Sequence, residues 1–134
     1  MLDERIYQNY IGILKEEMIP AMGCTEPIAL AYGAARAREV LGKEPEHITA
    51  KCSGNIIKNV RCVIIPNSGG LTGIEAGVVL GAVAGNASLN MEVLSNVNEF
   101  ERKRCRELLD KKICNVELLD SPVAVSYTHL TLPT

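Results

Sequence analysis

The sequence predicts an α+β fold, in which packed α-helices enclose a small β-hairpin or sheet. Three observations carry this expectation. Apolar residues recur at helical spacing in several separate segments. Short β-branched runs lie between them. The core must be filled by small aliphatic side chains, because the 134 residues include no Trp, four Tyr and one Phe, Phe100. That composition favours helices in close contact over an aromatic-lined pocket.

From Asp3 to about Ile19, Ile6, Tyr10, Ile13, Leu14 and Met18 repeat every three or four residues and describe an amphipathic helix. Pro20 ends it. A second helix is expected from Glu26 to about Leu41, with Gly42 as its C-terminal stop. Ala29, Ala31, Ala34, Ala35 and Ala37 leave that helix little bulk, so a neighbour can approach closely. Strands are expected at His47–Ser53 and Val60–Ile65, with Ser53–Asn59 as a polar loop or bulge between them. After the break at Pro66-Asn-Ser-Gly-Gly70, a third helix is expected over Leu71–Ala84. Gly69, Gly73, Gly77, Gly81 and Gly85 fall every four residues there, giving a ridge without side chains. Each interior glycine costs about 1 kcal/mol against alanine, so something must pack very near. A charged helix over Glu99–Lys112 and a last strand over Ile113–Leu119 complete the reading, with Arg102-Lys103-Arg104 as a solvated face. The segment from Ser126 to Thr134 has no charge and no capping logic. It reads as a non-native, adaptor-derived tail, leaving 1–125 as the N-terminal part of one domain.

Composition excludes several functions. A net charge of −2 and the lack of a basic patch argue against nucleic acid. Glu75 and Asn86 interrupt the glycine-rich run, which rules against a membrane span. Five cysteines (Cys24, Cys52, Cys62, Cys105, Cys114) without a C-x-x-C pair, behind an N-terminus unlike a signal peptide, fit a cytoplasmic protein. The Asn67-Ser-Gly-Gly loop could offer N–H groups to an anion, but no G-K-[ST] follows, so nucleotide binding is not read from it.

The chemistry concentrates at Pro20-Ala-Met-Gly-Cys-Thr-Glu-Pro27. Here Cys24 precedes a helix start for which Thr25 is a good N-cap. Unsatisfied N–H groups and the positive helix end stabilise a thiolate, the form that binds metals. The alternative, a small buried thiol beside an ordinary cap, stands equally on local chemistry. Ser53, Asn55, Lys58 and Asn59 form a donor set suited to a substrate carboxylate, though a plain polar loop has the same composition.

Taken together, Met-Gly-Cys-Thr-Glu-Pro-Ile-Ala, Ser-Gly-Asn-Ile-Ile-Lys-Asn and Ile-Pro-Asn-Ser-Gly-Gly-Leu-Thr-Gly resemble the N-terminal part of the L-cysteine desulfidase family, itself related to the α chain of iron–sulfur L-serine dehydratases. The resemblance implies a larger α-rich lyase of which this chain is an incomplete, inactive part. It also implies a [4Fe–4S] cluster acting as a Lewis acid, with L-cysteine eliminated to pyruvate, ammonia and sulfide. Carried over by position, Cys24 would be a cluster ligand and Lys58 a charge or proton-transfer group. Ser53, Asn55 and Asn59 would line the substrate pocket. A serine-dehydratase-like lyase and a non-catalytic packing domain acting through the glycine ridge are the alternatives. A small amino acid is the expected partner, a homo-oligomer is compatible with it, and apolar surface is expected where the absent part docks.

Overall fold

The structure, a computed structural model, describes residues 3–123 and 129–131 and has an α+β architecture. Helix α1 spans Glu4–Glu17 and is N-capped by Asp3, whose carboxylate accepts the Arg5 N–H at 2.8 Å. Helix α2 spans Thr25–Leu41 and closes on Gly42, whose φ of 75° supplies the left-handed turn expected of a C-terminal glycine. Strand β1 (Ile48–Cys52) leads into the short α3 (Gly54–Val60). Helix α4 covers Ile74–Ala84, and 3₁₀ turns follow over Ala87–Glu92. Helix α5 covers Glu99–Asp110 and starts at a capping box, with Asn98 and Glu101 each bonding the other's backbone N–H at 2.9 Å. Strand β2 is Cys114–Leu118, and β3 is His129–Thr131.

The core is the contact between α2 and α4. Gly77, Gly81 and Gly85 meet Pro27, Ala31 and Ala35 in matching order, so the two helices run in the same direction with small-residue ridges face to face. A Cβ on Gly81 would lie 2.5 Å from the Ala31 Cα. This contact uses the glycine ridge inside the chain, leaving it unavailable to a partner. Val78, Val79 and Leu80 on α4 and Ile28 and Leu30 on α2 are fully buried around it. Each such side chain contributes about 1.5–3 kcal/mol relative to exposure, which outweighs the local cost of the glycines.

Three expectations need correction. The helix expected from Leu71 begins only at Ile74, because Gly69, Gly70 and Gly73 have φ of 73°, 90° and 92° and serve the turn before it. The Ser53–Asn59 loop is the helix α3, and the Val60–Ile65 strand does not form; only Ile64 makes an isolated bridge, to Thr72. Ile56 and Val60 are buried one helical turn apart, and a short apolar run of this kind serves a helix as readily as a strand. Of the expected hairpin or sheet, a sheet forms. β1 pairs in parallel with β2, Ile48 opposite Cys114 and Cys52 opposite Leu118, with α3, α4 and α5 in the crossover. β1 pairs antiparallel with β3 on its other side, in the order β2-β1-β3. The expectation of a non-native tail falls mostly outside the described residues.

No helix among the described residues is long and apolar enough to cross a membrane.

Candidate functional site

The turn that presents Cys24 has the first residues of α2, Pro66 and, from α3, Asn59 as its neighbours. Cys24 is itself the N-cap, with φ of −62° and ψ of 128°, and Thr25 is the first helical residue, not the cap. Gly23 holds φ of 99°, so the turn that presents the thiol requires a residue without a side chain. The Pro66 ring lies 3.7 Å from where a Gly23 side chain would begin.

Cys24 is exposed, and its Sγ donates to Glu26 Oε2 at 3.2 Å. The Thr25 hydroxyl donates to the same oxygen at 3.2 Å, and the Asn59 amide of α3 lies near enough to add a small further stabilisation of the Glu26 carboxylate. The electrostatics differ from the helix-end expectation. The Glu26 carboxylate accepts the thiol proton and raises the Cys24 pKa above its ordinary value. Partial burial adds to this, while the backbone N–H groups of Glu26 and Thr25 pull the other way. In turn the thiol, followed by Glu26's own backbone N–H and the Thr25 hydroxyl, holds the Glu26 carboxyl below the usual range. The adjacent carboxylate wins because it is a full charge one hydrogen bond away, whereas the helix end supplies only partial charges. The resting pair is thus thiol and carboxylate.

Among the other expected site residues, Asn55, Lys58 and Asn59 are exposed on α3, where spacings of three and four residues put them on one face. Ser53 is buried at the N-cap of α3 and does not share that face. The structure therefore bonds Cys24 to Glu26, brings Asn59 near that carboxylate, sets Asn55 and Lys58 on the same helix, and buries Ser53 at its N-cap. Glu26 was not among the expected site residues. Its signal was its position two residues after the cysteine, on the first helical turn.

Burial pushes the thiols of Cys52 and Cys105 up to about 11 and that of Cys114 up to about 12, which fits inert core residues. No three His, Cys, Asp or Glu side chains gather into a metal-holding group among the described residues.

The Asn67-Ser-Gly-Gly loop is tied to the body of the protein through Asn67 and Ser68. Ser68 is buried and its Oγ accepts the Leu71 N–H at 2.9 Å, while the Ser68 N–H donates to the Ile65 carbonyl at 3.3 Å. Arg102, expected on a solvated face, instead reaches this loop from α5. Its Nε donates to the Asn67 carbonyl at 2.8 Å and its Nη2 to the Asn67 side-chain oxygen.

Glu26→Gln is expected to lower the Cys24 pKa, since a neutral amide no longer opposes thiolate formation. Iodoacetamide labelling of Cys24 near pH 8, read by peptide mass spectrometry, should then accelerate severalfold, with exposed Cys62 as the internal control. An unchanged rate would remove Glu26 from control of the thiol.

The fold and site together define an α+β chain that presents the exposed Cys24 thiol, a carboxylate and amide donors at a helix start. Its sequence is similar to proteins named UPF0597. It is 45% identical over 124 residues to one from Treponema denticola, covering 92% of this chain and 29% of that protein. It is 48% identical over 120 residues to one from Desulfitobacterium hafniense, covering 90% of this chain and 28% of the relative. A third, from Finegoldia magna, is 52% identical over 111 residues, 83% of this chain and 27% of the relative. The chain thus spans under a third of the length of the curated relatives it matches. No family model and no solved structure matches the chain. These relatives correct the resemblance drawn from the motifs: the similarity found is to UPF0597 proteins, and membership of the L-cysteine desulfidase family is not shown.

Proposed function

We propose that these residues form one face of a lyase site in a longer protein. The site would eliminate a β-substituent from a small amino acid, with L-cysteine as the leading substrate and L-serine as the alternative. The observation that supports this is the meeting of Cys24, Glu26 and Asn59 at an exposed helix start. One thiol and one carboxylate do not fit a [4Fe–4S] cluster on their own, since such a cluster is held by Cys thiolates in numbers this site lacks. The set fits a single ligand to a centre completed elsewhere, and no step is derived through it. Within this chain, the Glu26 carboxylate accepts the hydrogen bond of the Cys24 thiol and so orients it. Asn55, Lys58 and Asn59 offer donors for a substrate carboxylate from the adjacent face of α3.

The test uses the full-length Finegoldia magna relative and a chimera in which this chain replaces the matched stretch, both reconstituted anaerobically with ferrous iron and sulfide. Both are expected to take up iron and to release sulfide from L-cysteine faster than ammonia from L-serine. Cys24→Ser in the chimera should reduce turnover by about 100-fold or more, with loss of bound iron. Preparations that bind no iron and eliminate from neither amino acid overturn the reading; preference for L-serine reassigns the substrate.

A further inference from the structure

We infer that the apolar face of α1 is a docking surface, and that its occupant is the part of the longer protein lying outside the matched stretch. Helix α1 buries none of its residues, whereas α2 and α4 bury many of theirs on each other. Yet α1 is patterned for burial. Ile6, Tyr7, Tyr10, Ile13, Leu14 and Met18 are all exposed, Ile13 by 55% and Met18 by 68%. At 100° per residue these side chains occupy an arc of roughly 140° of the helix, broader than a coiled-coil seam and interrupted only by Glu17 near its end. A helix of 14 residues is marginal in water by itself, so its stability must come from packing of that arc.

Three occupants can be weighed. A lipid surface would select a helix rich in Lys and Arg, but α1 and its cap carry Asp3, Glu4, Glu16 and Glu17 against Arg5 and Lys15. A second copy would set one α1 against another. Such a helix is about 21 Å long and presents a strip about 10 Å wide, so two strips fall well short of the roughly 1,200 Å² of a specific interface. An arc this wide instead fits a groove between two or more elements of a folded body. The relatives have such a body available, since more than two-thirds of their length lies outside the match. The surface does not depend on the lyase reading: α1 can be covered in a protein that holds no iron.

Hydrogen exchange read by mass spectrometry tests this on the 134-residue chain and on the full-length Treponema denticola relative. In the chain alone, α1 amides are expected to exchange fast while those of α2 and α4 stay protected. In the full-length relative, the matching helix should exchange about 100-fold more slowly or better. Ile13→Asp in the 134-residue chain should change its melting temperature by no more than a degree or two, because the side chain is exposed and outside the core there. Equal, fast exchange of this helix in both proteins overturns the proposal. So does protection of α1 in the isolated chain that rises with concentration alongside a dimer in sedimentation, or that needs anionic phosphatidylglycerol vesicles.

Discussion

Gly81→Ala is expected to destabilise the protein by about 3 kcal/mol or more, and to lower its melting temperature by about 10 °C or more, whereas Gly77→Ala is expected to be nearly neutral. The two substitutions add the same methyl group to the same helix, one turn apart. At Gly77 the nearest atom is the Ile65 Cδ1 at 3.3 Å, the far end of a side chain that can rotate away. Alanine there also recovers about 1 kcal/mol of helix propensity, which offsets a small displacement. At Gly81 the new Cβ would sit 2.5 Å from the Ala31 Cα and 2.7 Å from its carbonyl carbon, and nearer still to the carbonyl oxygen. Those are backbone atoms of α2, and they yield only if the two helices separate. Separation exposes Ile28, Leu30, Val78 and Val79, now fully buried, so the propensity gain is overwhelmed. Thermal melts followed by circular dichroism decide it. Melting points for the two variants within a degree or two of each other would mean that the α2–α4 contact is looser than the structure gives.

That contact was legible in the sequence, because a row of glycines on one helix and a run of alanines on another are unfavourable unless the two backbones meet. The terminal signals were legible for the same local reason: Asp3, Gly42 and the break at Pro66 act on neighbouring backbone groups. What was not legible depends on distant pairing. The run from Ile56 to Ile65 is equally good as a strand and as a helix, and α3 forms because Ile56 and Val60 find the core one turn apart. Nor does any local pattern say that β1 pairs with a strand about sixty residues later. At the site, the helix start beside Cys24 was readable, but the sign of its effect on the thiol was not. That sign turns on a Glu26 rotamer which brings the carboxylate to 3.2 Å from the sulfur. The meeting of Asn59 with Glu26 likewise needs α3 to be a helix. The exposed α1 face combines both lessons, since its period was plain and the occupant proposed for it lies beyond the matched segment.

Arg102→Met is expected to destabilise by about 2–4 kcal/mol, more than any other single replacement on the charged face of α5. Its guanidinium joins the Asn67 carbonyl at 2.8 Å, the Asn67 side-chain oxygen, the Val97 carbonyl at 3.2 Å and Glu99 at 2.9 Å. The ion pair with Glu99 contributes little, because that carboxylate is 76% exposed. Most of the loss comes from the polar atoms that the substitution leaves without a donor. Asn67 holds φ of 56°, an unfavourable conformation that the surrounding bonds maintain, and its side-chain nitrogen donates to the Leu94 carbonyl at 2.9 Å. Methionine keeps most of the apolar stem against Gly69 but strands two half-buried Asn67 oxygens. A double-mutant cycle with Asn67→Gly separates the contributions, since glycine relieves the backbone strain while removing the amide. Coupling of about 1 kcal/mol or more is expected, and additive effects would mean the clamp is not a unit. Salt supplies the second discriminator. If the Glu99 pair dominated, 1 M NaCl would reproduce the loss in the unmodified chain by screening it; the hydrogen-bonded clamp should instead hold its melting temperature there. Because the Pro66 end of the clamped loop lies against Gly23, releasing the clamp should also alter the labelling rate of Cys24, and that links the stability of α5 to the geometry of the thiol.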